Sequence, residues 1–81
     1  MKEYVFYGEA SGELFRSKSL LEMYETSKEI KEFDRRNYIQ DTYYYEVEVE
    51  NGDKNECGEK IVYVQEVKIY RRNNKIYCKR I

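Results

Sequence analysis

The 81-residue sequence predicts an α+β fold: a single helix packed on one face of a small, mostly antiparallel four-stranded sheet, in the order β-α-β-β-β. Three observations carry that expectation. Apolar residues recur at spacings of three and four from Leu20 to Phe33, directly behind a Ser19/Glu22 pair that reads as a helix start. From Tyr43 the period switches to two. Asn73-Asn74 then separates two alternating runs, and asparagine tolerates the positive φ that a two-residue hairpin turn requires.

Residues 3–7 are aromatic and β-branched and favour a strand, which Gly8-Glu9-Ala10-Ser11-Gly12 ends. Leu14-Phe15 either extends a hairpin arm or covers the end of the core. In the helix, Leu20, Met23, Tyr24, Ser27, Ile30 and Phe33 share one face, and Asn37 is the expected stop. Glu22, Glu25 and Glu29 sit toward the positive end of the helix dipole, with Arg35 and Arg36 at the negative end. Next, Tyr43, Tyr45, Val47 and Val49 alternate with Tyr44, Glu46, Glu48 and Glu50, the pattern of a half-exposed strand. A polar connection over residues 51–59 leads to a strand over 60–72, and the last strand spans 75–81.

The Asn-Asn turn implies a register in which Arg72 faces Lys75, Tyr70 faces Tyr77 and Val67 faces Arg80. Val67, Ile69, Ile76 and Cys78 then look toward the helix. Placing Glu50 near Lys60 aligns Val49 with Ile61 and Val47 with Tyr63, so both hairpins agree on the inward face. The outward face carries Tyr44, Val62, Val64, Tyr70 and Tyr77 among charges, with no second layer to cover it.

Residues 1–81 read as one compact domain, too small for a large internal cofactor pocket. The net charge of −1 hides a division. Asp41 to Glu59 holds seven acids and one lysine, whereas Lys60 to Ile81 holds seven basic residues and one acid. The N-terminus has no long apolar stretch of the signal-peptide kind and no run approaches a membrane span, so the expected setting is cytoplasmic, with no membrane partner. Cys57 and Cys78 are expected to be reduced thiols.

Three surfaces are candidate sites. The first is the outward face, where Tyr44, Tyr70 and Tyr77 offer rigid area with hydrogen-bonding tips beside apolar Val62 and Val64; cross-strand stabilisation is the alternative role of its tyrosines. The second is the group Arg71, Arg72, Lys75, Lys79 and Arg80, with Tyr70 and Tyr77 between, suited to phosphates and exposed bases. It also reads as charge that protects an edge strand. The third is the acidic group Glu46, Glu48, Glu50, Asp53, Glu56 and Glu59, whose strand glutamates are spaced at about 7 Å, close to the same-strand phosphate spacing of nucleic acid. That spacing suits a partner with a basic groove; a solvated strand face is its alternative reading.

Chemistry has few footholds. Without histidine the sequence has no ordinary neutral-pH base and no His-containing zinc set. Gly8-Glu9-Ala10-Ser11-Gly12 lacks the lysine and spacing of a phosphate loop, and Asn51-Gly52-Asp53-Lys54-Asn55 does not match a calcium loop. No enzyme activity, cofactor or metal is expected.

A tiny, proline-free, tyrosine-rich chain with one helix on a small sheet is similar in gross layout to small accessory proteins of phages and mobile elements that block host defence machinery. With the acidic strand, that similarity implies a protein-binding inhibitor or accessory protein that occludes a basic or nucleic-acid-handling surface. The alternatives are a nucleic-acid-binding module using the last hairpin, or a homodimer formed through the open face or the sheet edges.

Overall fold

The computed structural model describes all residues, 1–81. Six elements follow one another: β1 (Lys2–Gly8), β2 (Gly12–Ser17), α1 (Leu20–Arg36), β3 (Tyr43–Val49), β4 (Tyr63–Arg72) and β5 (Lys75–Arg80). The fold is α+β with one helix against an antiparallel sheet, and the sheet has five strands in the order β2-β1-β3-β4-β5. Every neighbouring pair is antiparallel.

The fifth strand is β2. Its sequence does not alternate cleanly because a bulge interrupts the pairing: Phe6 faces Phe15 while Tyr7 faces Glu13, leaving Leu14 as an extra residue. A bulge adds one residue to one strand and so breaks the period of two. Both Leu14 and Phe15 pack against the core.

Asp41, just ahead of β3, fastens the β1–β2 turn. Its carboxylate accepts the backbone N–H of Ala10 at 2.9 Å and of Thr42 at 2.8 Å, and the Ser11 hydroxyl at 2.7 Å. Gly8 makes room for it, since a Cβ there would lie 2.2 Å from the Asp41 Oδ2 atom.

At the start of α1, Ser19 accepts the Glu22 N–H at 3.1 Å, as a helix cap should. The reciprocal half of the expected capping box is relayed. Ser19 N–H donates to the Ser17 hydroxyl at 3.0 Å, and that hydroxyl donates to the Glu22 carboxylate at 2.8 Å. At the other end Asn37 is the cap, followed by Tyr38 at φ 57°. Tyr38 N–H reaches Arg35 O and Ile39 N–H reaches Asp34 O, so the helix closes in a Schellman motif with tyrosine where glycine is usual.

The core joins Tyr4 and Phe6 of β1, Met23 of α1, Tyr45 and Val47 of β3, and Val67 and Ile69 of β4. Ser27, fully buried, meets Tyr45 at 2.7 Å. The proton order follows from the neighbours: Tyr24 O only accepts and Lys31 Nζ only donates, so the chain runs Lys31 to Tyr45 to Ser27 to Tyr24. Phe33, expected inward, is exposed. Asp34 takes the sheet-facing position one turn beyond Ile30 and accepts the Tyr43 hydroxyl, which leaves Phe33 to one side.

The β4–β5 register is the expected one at every position from Val67/Arg80 to Arg72/Lys75, with Asn73 and Asn74 at φ 50° and 64°. The β3–β4 register differs from expectation by two residues: Val47 faces Gln65 and Val49 faces Tyr63. A shift of two keeps every side chain on its expected face. The 51–62 connection folds on itself, with Lys54 bridging Lys60, so β4 begins at Tyr63 rather than Lys60.

Candidate functional site

One face of the sheet is covered by α1, and the other carries no layer. Alternation along β1, β3, β4 and β5 places Glu3, Val5, Tyr7, Tyr44, Glu46, Glu48, Val64, Glu66, Lys68, Tyr70, Tyr77 and Lys79 on the uncovered side. Its aromatics are paired. Tyr7 stacks on Tyr44 with ring centres 5.2 Å apart, and Tyr70 stacks on Tyr77 at 5.6 Å. Lys68 Nζ lies 5.6 Å from the Tyr70 ring centre, a cation–π contact. These stacks stabilise the sheet and still leave surface: Tyr77 is 40% exposed.

Val5 belongs to this side yet is fully buried, and it stands apart from the core cluster. Its strand partners are Arg16 and Glu46. Arg16 bonds Glu48 at 2.7 Å and Glu13 at 2.8 Å and lies 3.8 Å from Glu3, which forms a polar roof around the valine. The hydrogen bonds Arg16 donates to Glu13 and then to Glu48 raise the guanidinium pKa, and accepting from Arg16 lowers that of Glu13. Tyr7 is pushed up by burial first and then by the charges of Glu46, Glu48 and Glu13.

The three expected acids therefore differ. Glu48 is neutralised by Arg16, and Glu50 lies 3.2 Å from Lys60. Glu46 has no ion pair and faces Glu66 directly across β3 and β4. Two like charges placed opposite each other disfavour the pairing, so this pair is a local cost to the sheet. Beside it, Met1, Glu3, Glu48, Glu50 and Val62 line a small pocket of about 190 Å³.

The basic group does not form one surface. Arg72, Lys75 and Lys79 share the open face with Tyr70 and Tyr77, while the partners Arg71/Ile76 and Val67/Arg80 put Arg71 and Arg80 on the helix side. Arg71 lines a groove of about 810 Å³ between α1 and the hairpin tip, together with Leu21, Tyr24, Phe33 and Ile76. Val62, just ahead of β4, and Val64, within it, are 48% and 53% exposed.

Tyr38 was not among the expected site residues. It is 94% exposed and holds a left-handed conformation that tyrosine seldom adopts. The available signal was a large aromatic immediately after the asparagine helix stop. Cys57 is exposed, and Cys78 is half-buried with its thiol pushed up by burial; neither is in a disulfide. No three acidic or cysteine side chains converge as a metal site, and no helix is long and apolar enough to cross a membrane. No protein-family model matches the chain, and neither a curated protein nor a solved structure is significantly similar to it.

Proposed function

We propose that this chain is a small non-enzymatic protein-binding module, an inhibitor or accessory protein of phage or mobile-element type. It acts in the cytoplasm by covering a basic or nucleic-acid-handling surface of its partner. The observation that carries this reading is the sheet face left without a second layer, bearing stacked tyrosines and exposed valines. Five strands at ~4.8 Å spacing, each about seven residues at ~3.4 Å, make a face of roughly 600 Å². Each partner in a stable complex contributes about 800 Å², so this face supplies most of one side.

The acids of β1, β3 and β4 supply steering toward a basic partner, and Tyr44, Tyr70 and Tyr77 supply contact area. The alternative, nucleic-acid binding, draws on Arg72, Lys75 and Lys79 around the Tyr70–Tyr77 stack. The two readings separate in one experiment: capture of partners from a cell lysate on the immobilised protein, with and without nuclease. Protein capture that survives nuclease and weakens roughly 30-fold for Tyr70→Ala/Tyr77→Ala supports the protein-binding module, at about 2 kcal/mol for a hot spot. Capture that nuclease abolishes, with a steep fall in rising salt, supports nucleic acid instead.

A further inference from the structure

The β4 strand outruns β5. Pairing between them ends at Val67/Arg80, with one last bond from Ile81 N–H to Glu66 O, so Tyr63 to Gln65 have no strand on that side. The direction of each backbone group follows from that bond. Glu66 points its carbonyl at β5, and alternate residues of a strand point the same way, so Val64 aims its N–H and C=O outward from the sheet. Tyr63 and Gln65 point inward and bond β3 opposite Val49 and Val47. An unpaired edge of this kind is a template for another strand, and native chains usually protect it with lysine, proline or a bulge. None of these devices occurs over Tyr63-Val64-Gln65-Glu66. The full edge strand β5 is guarded by Lys75, Lys79 and Arg80.

Charge decides what fits there. The edge lies beside the unneutralised pair Glu46/Glu66, and inboard of it is the pocket of about 190 Å³ made by Glu3, Glu48, Glu50, Met1 and Val62. Glu3 and Glu48 in that lining are already paired with Arg16, and Glu50 with Lys60. The charge left to attract a cationic side chain is therefore that of Glu46 and Glu66, with Val62 and Val64 beside them for its apolar stem. A second copy of this chain does not suit the edge, because pairing two β4 edges brings two sets of Glu46 and Glu66 together.

We propose that the free edge of β4 over Tyr63–Gln65 is a β-augmentation site for an extended segment of another protein carrying lysine or arginine at alternate positions. The proposal rests on the protein-binding reading and names its docking mode. Main-chain bonds to Val64 hold the segment. Its basic side chains lie on the open face, with their stems over exposed Val62 and Val64 and their heads by Glu46 and Glu66. Its alternate apolar side chains fall on the other face beside exposed Tyr63.

The test uses the full chain, isotope-labelled, with two synthetic hexapeptides: alternating lysine and valine, and alternating glutamate and valine. The lysine peptide slows hydrogen exchange of the Val64 amide and binds at least tenfold more tightly than the glutamate peptide. Val64→Pro removes the outward donor and abolishes that binding while the Tyr63 and Gln65 amides stay protected. Glu66→Lys lowers the preference for the lysine peptide or reverses it, and serves as the independent check should the proline variant not fold. Equal binding of the two peptides overturns the proposal. So does a Val64 amide that is already protected in the free protein in a concentration-dependent way, which would assign the edge to a second copy. If both peptides fail while lysate capture still depends on Tyr70 and Tyr77, the edge site is wrong and the protein-binding reading stands.

Discussion

Two residues near the chain's turns set local conformation by opposite means. Asp41 gathers hydrogen bonds from Ala10, Ser11 and Thr42, and these hold its carboxyl below the usual carboxylate range, the Ala10 bond being the largest cause. A depressed folded pKa contributes stability above the unfolded value, and that stability is lost as pH falls through the folded pKa. Wild type is therefore expected to lose stability faster than Asp41→Asn as pH drops below about 4, read as the denaturation midpoint against pH. The variant also starts less stable at neutral pH, because an amide cannot accept all of those bonds.

Tyr38 works the other way. It occupies the glycine position of the Schellman motif at φ 57°, so its side chain strains the backbone while making almost no contact. Tyr38→Gly is expected to stabilise the fold by about 1 kcal/mol, measured by chemical denaturation. At alkaline pH, Tyr43 is the tyrosine to follow. Its bond to Asp34, with burial and the Asp34 charge adding, pushes it up to about 12. That stabilisation is complete below pH 10 and is lost as pH rises through about 12; Tyr43→Phe removes the latest-titrating phenol from the ultraviolet absorbance.

At the scale of elements, the buried chain Lys31–Tyr45–Ser27–Tyr24 ties α1 to the centre of the sheet. Single variants Ser27→Ala and Tyr45→Phe each leave the surviving hydroxyl one partner, so each is expected to cost about 1 kcal/mol, with a coupling of similar size in a double-mutant cycle. Legibility in the sequence varied by element for physical reasons. The β4–β5 hairpin was readable because a two-residue Asn-Asn turn determines register outright. The β3–β4 register was readable only to within two residues, since the long 51–62 connection does not constrain it and alternation specifies a face, not a partner. That was enough to assign the open face and its tyrosines. The pairing of Glu48 with Arg16 was not readable, because residues 32 apart meet only through the order β2-β1-β3. Phe33 misled for a simpler reason: aspartate at position 34 found a phenolic partner on the sheet side.

For the whole molecule, the charge division of the sequence becomes a division of one face. Acids collect on β1, β3 and the first half of β4, while Lys68, Arg72, Lys75 and Lys79 collect on the second half of β4 and on β5. Such a face is complementary to itself as well as to a basic partner, so self-association is the main competitor of the proposed function. The chain measures 48 × 31 × 20 Å, long enough for β4 to run out from under the helix and leave Tyr63 and Gln65 exposed on the helix side.

The decisive measurement is the mass of the purified protein by light scattering on a size-exclusion column, in reducing buffer at tens of micromolar. A value near 10.0 kDa is the predicted result, leaving the tyrosine face free for another protein. A value near twice that, returning to the monomer mass for Tyr70→Ala/Tyr77→Ala, would contradict the account by showing that the face is already occupied by a second copy.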